Sequence, residues 1–225
     1  MLPSSTVENY LKAVHHAQSA LEADALVPMG QLAQALGVVP GTATAMVKAL
    51  AESGLVRYEP YAGVRLTPAG DRLAGLVLRR HRLIELFLVR VMGLSWDEVH
   101  DEAEHLEHAM SDRLIDRMDE MLGWPAVDPH GDPIPDPQGA VPRREYLSLA
   151  TSPIATPLVV SRIADQDAEF LRFVERSGLK PGTPISVEVR DTASDAVHVV
   201  TGDGRRLTLG LRAASKLLVE IAGRP

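Results

Sequence analysis

Apolar side chains recur every three or four residues near the start of the chain, which predicts an amphipathic helix within residues 6–23. The apolar face of this helix consists of Val7, Tyr10, Leu11 and Val14. Two shorter helices follow in the pattern, one ending at Gly37 and the next extending from Pro40 to Gly54. Two short helices joined by a glycine-containing turn are typical of a helix-turn-helix.

The residues that follow predict a small β-hairpin. Its strands are Val56–Glu59 and Val64–Leu66, and the turn lies between Pro60 and Gly63. A helix-turn-helix followed directly by a hairpin is the winged form. The sequence therefore predicts a winged helix-turn-helix at the N-terminus.

A long helix follows the hairpin. Thr67 is suited to the N-cap and Pro68 to the first helical position, and Gly93 stops the helix after Met92. Its apolar face is broad, which predicts burial by several neighbours, including a partner at a dimer interface. Ser95–Glu98 has the residue types of a capping box. It predicts one further helix, which ends before Gly123.

The second half of the chain has a different pattern. Residues 123–142 are dense in Pro and Gly and predict either a linker or an ordered extended loop. Short strand patterns then surround one helical segment, residues 165–178, and predict an SH3-like β-barrel. The predicted fold class is mainly α with a small β part: a winged helix-turn-helix, a helical dimerisation domain and the SH3-like module.

Composition narrows the class of protein. The 225 residues are 45% hydrophobic and 24% charged, and none is cysteine, which excludes disulfides and thiolate metal sites. The N-terminus lacks the pattern of a signal peptide. The most apolar run, residues 73–94, is interrupted by arginines, a histidine and a glutamate, so no membrane span and no membrane partner are predicted. These features predict a cytoplasmic protein.

The net charge of −7 is unevenly distributed. Residues 76–140 carry six basic and fourteen acidic side chains, whereas residues 1–75 carry five and six. Bound cations are one way to relieve such a local excess of acid within a folded region.

The densest part of this region, "VHDEAEHLEHAMSD" at residues 99–112, places ligand-type side chains on one helical face. At about 100° per residue, His100, Glu104, Glu107 and His108 share a face that adjoins the apolar one. His81 and Glu85 form a matching i, i+4 pair on the preceding helix. A solvated face is the alternative for such a pattern. His15, His16 and His130 are predicted to be surface or packing residues, and His198 to be structural.

Together, the winged helix, "RRHRLIE" at 79–85, "VHDEAEHLEHAMSD", "HGDPIP" at 130–135 and the C-terminal β module resemble the diphtheria toxin repressor family. The resemblance implies a metal-dependent transcriptional repressor. It further implies a DNA-binding domain at 1–75, a metal-binding and dimerisation domain at 76–140, a linker at 141–149, and an SH3-like, FeoA-like domain at 150–225.

The resemblance also implies two metal sites. The primary site would use Asn9, Glu104, Glu107 and His108. The ancillary site would use His81, Glu85 and His100, completed from the C-terminal module by Gln166 and Glu169, with Asp165 or Asp167 as substitutes.

The residues of the primary site bear on the choice of metal. Iron-sensing members place Cys at the position of Glu104 and Met at that of Asn9. Because this chain has Glu and Asn there instead, its primary site contains no sulfur ligand. Ligation by oxygen and nitrogen alone suits Mn²⁺. Two Mn²⁺ ions per chain are therefore predicted, with Fe²⁺, Co²⁺ or Zn²⁺ as possible substitutes. Many manganese-sensing members carry Asp where this chain has Asn9.

The second short helix, Pro40–Ala51, is the candidate recognition helix of a homodimer on palindromic double-stranded operator DNA. Its small N-terminal residues would face the bases: Gly41, Thr42, Thr44 and Ala45. Phosphate contacts are predicted for Lys48, Arg57 and Arg65. Helix capping is the alternative role of the two threonines.

The predicted function is a Mn²⁺-activated repressor of metal homeostasis genes, and not an enzyme. The alternatives are an iron- or zinc-activated regulator of the same family and, from another class, a helical di-metal enzyme. Such an enzyme needs Glu-x-x-His motifs on two helices. Only residues 99–112 contain one, and the winged helix would have no role.

Overall fold

The computed structural model describes residues 4–19, 21–22, 24–142 and 144–223. The chain forms two compact units. The first unit comprises residues 1–81 and 134–142, and the second comprises residues 82–133 and 143–225. Among the described helices, none is both long enough and apolar enough to cross a membrane.

The first unit is the predicted winged helix-turn-helix. Its elements, in chain order, are α1 (Ser5–Ser19), α2 (Met29–Ala35), α3 (Pro40–Glu52), β1 (Val56–Glu59), β2 (Gly63–Leu66) and the start of α4 (Pro68–Arg90). Strands β1 and β2 pair antiparallel. Val27 adds a bridge to Val64, with N–H···O bonds of 2.8 and 3.0 Å.

The predicted helix starts and apolar faces account for this unit. The Thr67 hydroxyl accepts a hydrogen bond from the Gly70 N–H at 3.2 Å, so Thr67 caps α4 as predicted. Leu11, Val14, Leu32 and Val47 are fully buried and form a core that joins α1, α2 and α3. The spacing of these apolar positions in the sequence therefore defines the interior of the unit.

A close backbone contact holds residues 134–142 against α4. A Cβ on Gly75 would lie 1.8 Å from the Gly139 carbonyl oxygen, so only glycine fits there. The Arg79 guanidinium donates to the Pro135 carbonyl at 2.8 Å. This part of the Pro- and Gly-rich segment is thus an ordered loop.

The second unit begins with the end of α4 and continues with α5 (Val99–Glu107) and α6 (Asp112–Leu122). The prediction of one helix from the capping box to Gly123 was wrong, because the helix is interrupted between the C-cap His108 and the N-cap Ser111. The Ser95 hydroxyl bonds to the Glu98 carboxylate at 2.5 Å, and the helix starts only at Val99. Gly123 ends α6 in the left-handed conformation, as predicted.

The C-terminal module, defined here as residues 144–223, completes the second unit. Its elements are β3 (Leu147–Ser148), β4 (Leu158–Ile163), α7 (Ala168–Ser177), β5 (Pro184–Asp191), β6 (Ala196–Thr201), β7 (Arg206–Gly210), α8 (Leu211–Ser215) and β8 (Leu217–Ile221). They form an antiparallel sheet of order β3-β8-β4-β5-β6-β7. Within the described residues the edge strands β3 and β7 do not pair, so the sheet is open and the prediction of a closed barrel was wrong.

The loop at 128–132 packs against this sheet. The Ile163 N–H donates to the His130 carbonyl at 2.8 Å. Gly131 has a φ of +88°, and a Cβ there would lie 2.0 Å from the Ser161 carbonyl oxygen. Only glycine permits this approach, so the loop is fixed against β4.

Candidate metal centres and DNA interface

The first candidate metal centre is the α5 set, which consists of Glu104, Glu107 and His108. Each residue offers a ligand atom, and these atoms lie within 4.8 Å of one another. Glu107 is fully buried, and its carboxylate lies 3.4 Å from His108 Nε2. Three of the four residues predicted for the primary site are therefore brought together within one unit.

The second candidate centre is the buried set, which consists of Glu85, Asp128 and His130. Its ligand atoms also lie within 4.8 Å of one another, and all three side chains are buried. His130 Nδ1 lies 3.8 Å from Glu85 Oε2. Glu85 of α4 and the loop at 128–132 therefore bring two carboxylates and one imidazole together.

The imidazole of His130 is oriented for metal binding. Its Nε2 lies 2.9 Å from the Trp96 carbonyl oxygen, and only a protonated Nε2 can donate to that oxygen. Nδ1 then carries the lone pair. It is buried and has no hydrogen-bond partner among the described residues. Metal-ligating histidines usually donate their other N–H to a carbonyl or carboxylate in this way.

Asp128 presents its two oxygens differently. Oδ1 accepts the N–H groups of His130 and Asp132 at 2.8 and 2.9 Å, which shapes the loop. Oδ2 is buried, has no hydrogen-bond partner in the described part of the chain, and lies 3.8 Å from Arg82 Nε. Burial, then the charges of Asp132 and Glu85, raise the pKa of Asp128 well above its ordinary value, and Arg82 only partly opposes them.

These donor groups fit a hard divalent cation. Buried carboxylates with an inward-facing imidazole are costly unless they are paired or bind a metal. The donors are oxygen and nitrogen, which suit Mn²⁺ and other first-row dications. Both sets offer three such ligands. The buried Nδ1 of His130 is the strongest single indication of a bound ion.

Of the predicted ancillary residues, Glu85 is part of the buried set and His100 contacts it. His100 Nδ1 is 3.3 Å from Glu85 Oε1, so Glu85 lies between two histidines. His81 is one helical turn before Glu85 on α4 and is buried. In the C-terminal module, Gln166 is half-buried and Glu169 is exposed. Glu169 belongs to none of the ligand clusters among the described residues.

Asn9 lies on α1 in the first unit. Its Oδ1 atom is buried and has no hydrogen-bond partner within the described ranges. A buried acceptor without a partner is costly, so an amide oxygen in this state is available to accept a hydrogen bond or to bind a cation.

The helix α3 exposes its N-terminal end. Gly41, Thr42, Ala45 and Lys48 are exposed, whereas the Thr44 hydroxyl donates to the Pro40 carbonyl at 2.8 Å. Thr44 thus makes a contact within the helix, and the N-cap is Val39, so this threonine does not take the capping role that was the alternative. The other four residues remain accessible to a DNA groove.

The hairpin presents its predicted phosphate-binding side chains on one face. Arg57 and Arg65 are direct cross-strand partners. Each is paired with a carboxylate, Arg57 with Glu59 at 2.7 Å and Arg65 with Asp24 at 2.6 Å. A DNA phosphate would therefore compete with an existing ion pair for each arginine.

An exposed apolar residue at the start of α3 was not predicted. Val39 is the N-cap residue and is 69% exposed, although Ser, Thr, Asn and Asp are preferred at this position. The N-terminal end of a recognition helix contacts base edges, and an apolar side chain there can contact a thymine methyl group. The valine at the N-cap position, where a polar residue is usual, was the sequence feature that could have indicated this contact residue.

The helix α6 carries an exposed apolar stripe. Leu114 and Met121 are 51% and 55% exposed, and Trp124, just beyond the helix, is 72% exposed. The opposite side buries Ile115. An apolar stripe of this kind on a helix indicates a contact surface for another protein.

Sequence reasoning missed Asp128 and assigned His130 to the surface or to packing. His130 is fully buried, and it stacks on the Trp96 ring with centroids 5.4 Å apart. The local signal was an Asp and a His separated by one residue within "DPHGDP". The density of prolines and glycines predicted a loop and gave no indication of where the loop packs.

Three family models match successive parts of the chain. The iron dependent repressor N-terminal DNA binding domain matches residues 3–64, and the iron dependent repressor metal binding and dimerisation domain matches residues 67–136. The FeoA domain matches residues 147–221. These boundaries agree with the order of elements described above.

Individual proteins are similar over most of the chain. The iron-dependent repressor IdeR of Mycobacterium tuberculosis is 29% identical over 228 residues, covering 96% of each protein. The diphtheria toxin repressor of Corynebacterium diphtheriae is 33% identical over 197 residues, covering 83% of this chain and 85% of that protein. The solved structure of a manganese-dependent transcriptional repressor in complex with manganese is 39% identical, has a TM-score of 0.85, and covers 96% of this chain and 99% of that one.

Proposed function

We propose that Mn²⁺ is the ion that activates this chain, which belongs to the iron-dependent repressor family, that of the diphtheria toxin repressor. The members of this family are metal-dependent transcriptional repressors and not enzymes. The proposed repressor binds palindromic operator DNA as a homodimer and controls metal homeostasis genes in the cytoplasm. The observation that carries the choice of ion is the absence of sulfur from both ligand sets. The inward-facing His130 Nδ1 supports a bound dication but does not select among the first-row metals.

We propose that the α5 set is the primary, activating site. Its support is the grouping of Glu104, Glu107 and His108, with one fully buried carboxylate. By the family resemblance, Asn9 is the further ligand, and its buried, unpartnered Oδ1 is consistent with that role. A divalent cation would supply the positive charge that links these oxygen and nitrogen donors.

The second ion of the proposed pair is assigned to the cluster around Glu85. Asp128 and His130 enter this assignment beside the sequence-predicted His81 and His100. They group with Glu85, and Asp128 Oδ2 and His130 Nδ1 have no hydrogen-bond partner in the described structure. Gln166 and Glu169 stay candidate ligands by resemblance. Their support is weaker, since Glu169 is exposed and outside the ligand clusters of the described residues.

The proposed dimer uses the apolar stripe on α6. Leu114, Met121 and Trp124 would be covered by a second copy of the chain, which removes exposed apolar surface from water. Two recognition helices α3 would then be held at a fixed spacing, as binding to a palindrome requires.

By the family resemblance, metal binding is coupled to DNA binding through Asn9 on α1, so that a bound ion shifts the protein towards its DNA-binding state. Such a shift from 1:99 to 99:1 requires about 5.5 kcal/mol of differential affinity. Two dications also reduce the electrostatic repulsion between DNA and a chain with a net charge of −7.

The test is binding of a labelled palindromic duplex by fluorescence anisotropy, with EDTA or with Mn²⁺. We expect binding to the duplex only with Mn²⁺, and loss of that response in Glu107→Gln. The control is His105→Ala, because His105 is an exposed histidine on α5 outside the ligand clusters among the described residues. Equal DNA binding with Mn²⁺ and with EDTA would refute metal activation. A stronger response to Fe²⁺ or Zn²⁺ at matched free concentrations would favour the iron or zinc alternative.

A further inference from the structure

Trp96 belongs both to the surroundings of the buried set and to the core of the C-terminal module. It is 3% exposed and lies in one apolar cluster with module residues that include Leu149, Leu158 and Leu171. Its ring stacks on the His130 imidazole, with centroids 5.4 Å apart and planes inclined by 21°. On the module side, the Lys180 ammonium lies 5.2 Å from the ring centroid.

Ring contacts, and no hydrogen bond of the side chain among the described residues, hold this indole in place. Its Nε1 is buried and has no hydrogen-bond partner within the described residues. The backbone carbonyl of the same residue receives the His130 Nε2–H. Trp96 therefore determines both the plane of the imidazole, through stacking, and its tautomer, through the carbonyl.

Further contacts hold the module against the same region of the second unit. Arg172 donates to Asp97, next to Trp96, at 3.0 Å. Arg162 pairs with Asp132, in the loop of the buried set, at 2.7 Å. The module is thus docked by apolar packing and ion pairs that require no metal ligand from it.

We propose that Trp96 is a positioning residue through which the packed C-terminal module sets the metal affinity of the buried set. This inference rests on the proposed function, because it assumes that Glu85, Asp128 and His130 bind an ion. The module holds Trp96 in place, and Trp96 holds His130 with Nδ1 directed at the two carboxylates. Without the indole, only the hydrogen bond from Nε2 to the backbone carbonyl of residue 96 orients the imidazole, and its remaining freedom must be restricted at the moment of binding.

The magnitude follows from other metal sites, in which loss of an outer partner weakens metal affinity by about 10- to 100-fold. We expect a weakening of this size in Trp96→Leu, which leaves an apolar residue but no ring. Trp96→Phe retains an aromatic face for His130 and should restore most of the affinity.

The experiment measures bound and free Mn²⁺ by electron paramagnetic resonance in a Glu107→Gln background, which disables the α5 set. Trp96→Leu and Trp96→Phe are compared with Leu209→Ala, a matched control that removes a buried side chain from the same core cluster. The inference predicts that only Trp96→Leu weakens Mn²⁺ binding. It is overturned if Trp96→Leu binds as tightly as the Glu107→Gln parent, or if Leu209→Ala weakens binding equally.

A second measurement uses the otherwise native chain and does not depend on the folding of Trp96 variants. The protein contains two tryptophans, and the other, Trp124, is 72% exposed, so Trp124→Phe makes Trp96 the sole tryptophan emitter. Mn²⁺ should change Trp96 emission in a saturable way, and His130→Gln should abolish this change while His105→Ala preserves it. Emission insensitive to Mn²⁺ would overturn the inference.

The two levels of the proposal fail differently. If the Glu107→Gln parent binds no Mn²⁺, the buried set is not a metal site, and that part of the proposed function fails together with the inference. If the parent binds Mn²⁺ and all three further variants bind it equally, a metal site that does not need Glu107 stands and the role of Trp96 is refuted.

Discussion

Asp128→Asn should have opposite effects on the metal-free and the Mn²⁺-bound protein. Asparagine retains an oxygen that can accept the N–H groups of His130 and Asp132, now at 2.8 and 2.9 Å from Asp128 Oδ1. The loop should therefore keep its shape. The substitution replaces Oδ2, the oxygen available for metal, with an amide nitrogen and removes one negative charge.

The magnitude in the presence of metal follows from linkage. An ion that binds only the folded protein stabilises it by about 2.7 kcal/mol at 100 times its Kd. For a protein of this size, each kcal/mol changes Tm by about 2–4 °C. Asp128→Asn should thus reduce the Mn²⁺-dependent rise in Tm by about 5–11 °C, and the remaining rise comes from the α5 set.

The metal-free protein should respond in the other direction. Asp128 is 4% exposed and faces the carboxylates of Glu85 and Asp132, and this environment raises its pKa because the charged form is unfavourable there. Removing the charge relieves that repulsion. We therefore expect Asp128→Asn to be at least as stable as the native chain in EDTA.

The assay is thermal unfolding followed by circular dichroism, in EDTA and in excess Mn²⁺. Asp101→Asn is the matched control, because Asp101 is an exposed acid on α5 and belongs to no ligand cluster among the described residues. It should leave both Tm values unchanged. A full Mn²⁺-dependent rise in Asp128→Asn would show that Asp128 binds no metal, and a large loss of stability in EDTA would show that its charge is structural.

Three further substitutions test the remaining parts of the proposal. Glu104→Cys should shift activation from Mn²⁺ towards Fe²⁺, Co²⁺ or Zn²⁺, because thiolate prefers softer ions; an unchanged order of metals in DNA-binding titrations would exclude Glu104 as a ligand. Asn9→Leu should leave Mn²⁺ binding measurable by calorimetry but remove its effect on DNA affinity, and native Mn²⁺ dependence would show that Asn9 has no part in coupling. Leu114→Asp should shift the protein to monomers in analytical ultracentrifugation, since it places a charge in the exposed stripe on α6; an unchanged dimer would place the interface elsewhere.

The winged helix and the α5 set could be derived from the sequence because their signals are local. Thr67 caps α4, and the predicted strand Val56–Glu59 is observed with the same bounds. Glu104, Glu107 and His108 are close along one helix, so the helical repeat alone brings them together. The acidic excess of residues 76–140 pointed to the same region.

Tertiary structure alone decided the buried set. Asp128 and His130 lie in a segment rich in Pro and Gly, whose backbone has no repeat that predicts direction or burial. Their environment depends on Glu85, more than forty positions earlier, and on β4, where Gly131 approaches the Ser161 carbonyl. Such long-range packing leaves no periodic trace in the sequence.

The same distinction explains the two errors about secondary structure and the role of Trp96. The open sheet depends on whether β3 and β7 meet, which is determined by packing across the whole module and not by the pattern of any one strand. The helical spacing of hydrophobic residues continues across the interruption between α5 and α6, so that spacing could not locate the interruption. In the sequence, Trp96 was only one residue of the predicted capping box. Its contacts with His130 and with the module core exist because distant segments pack on the same indole ring.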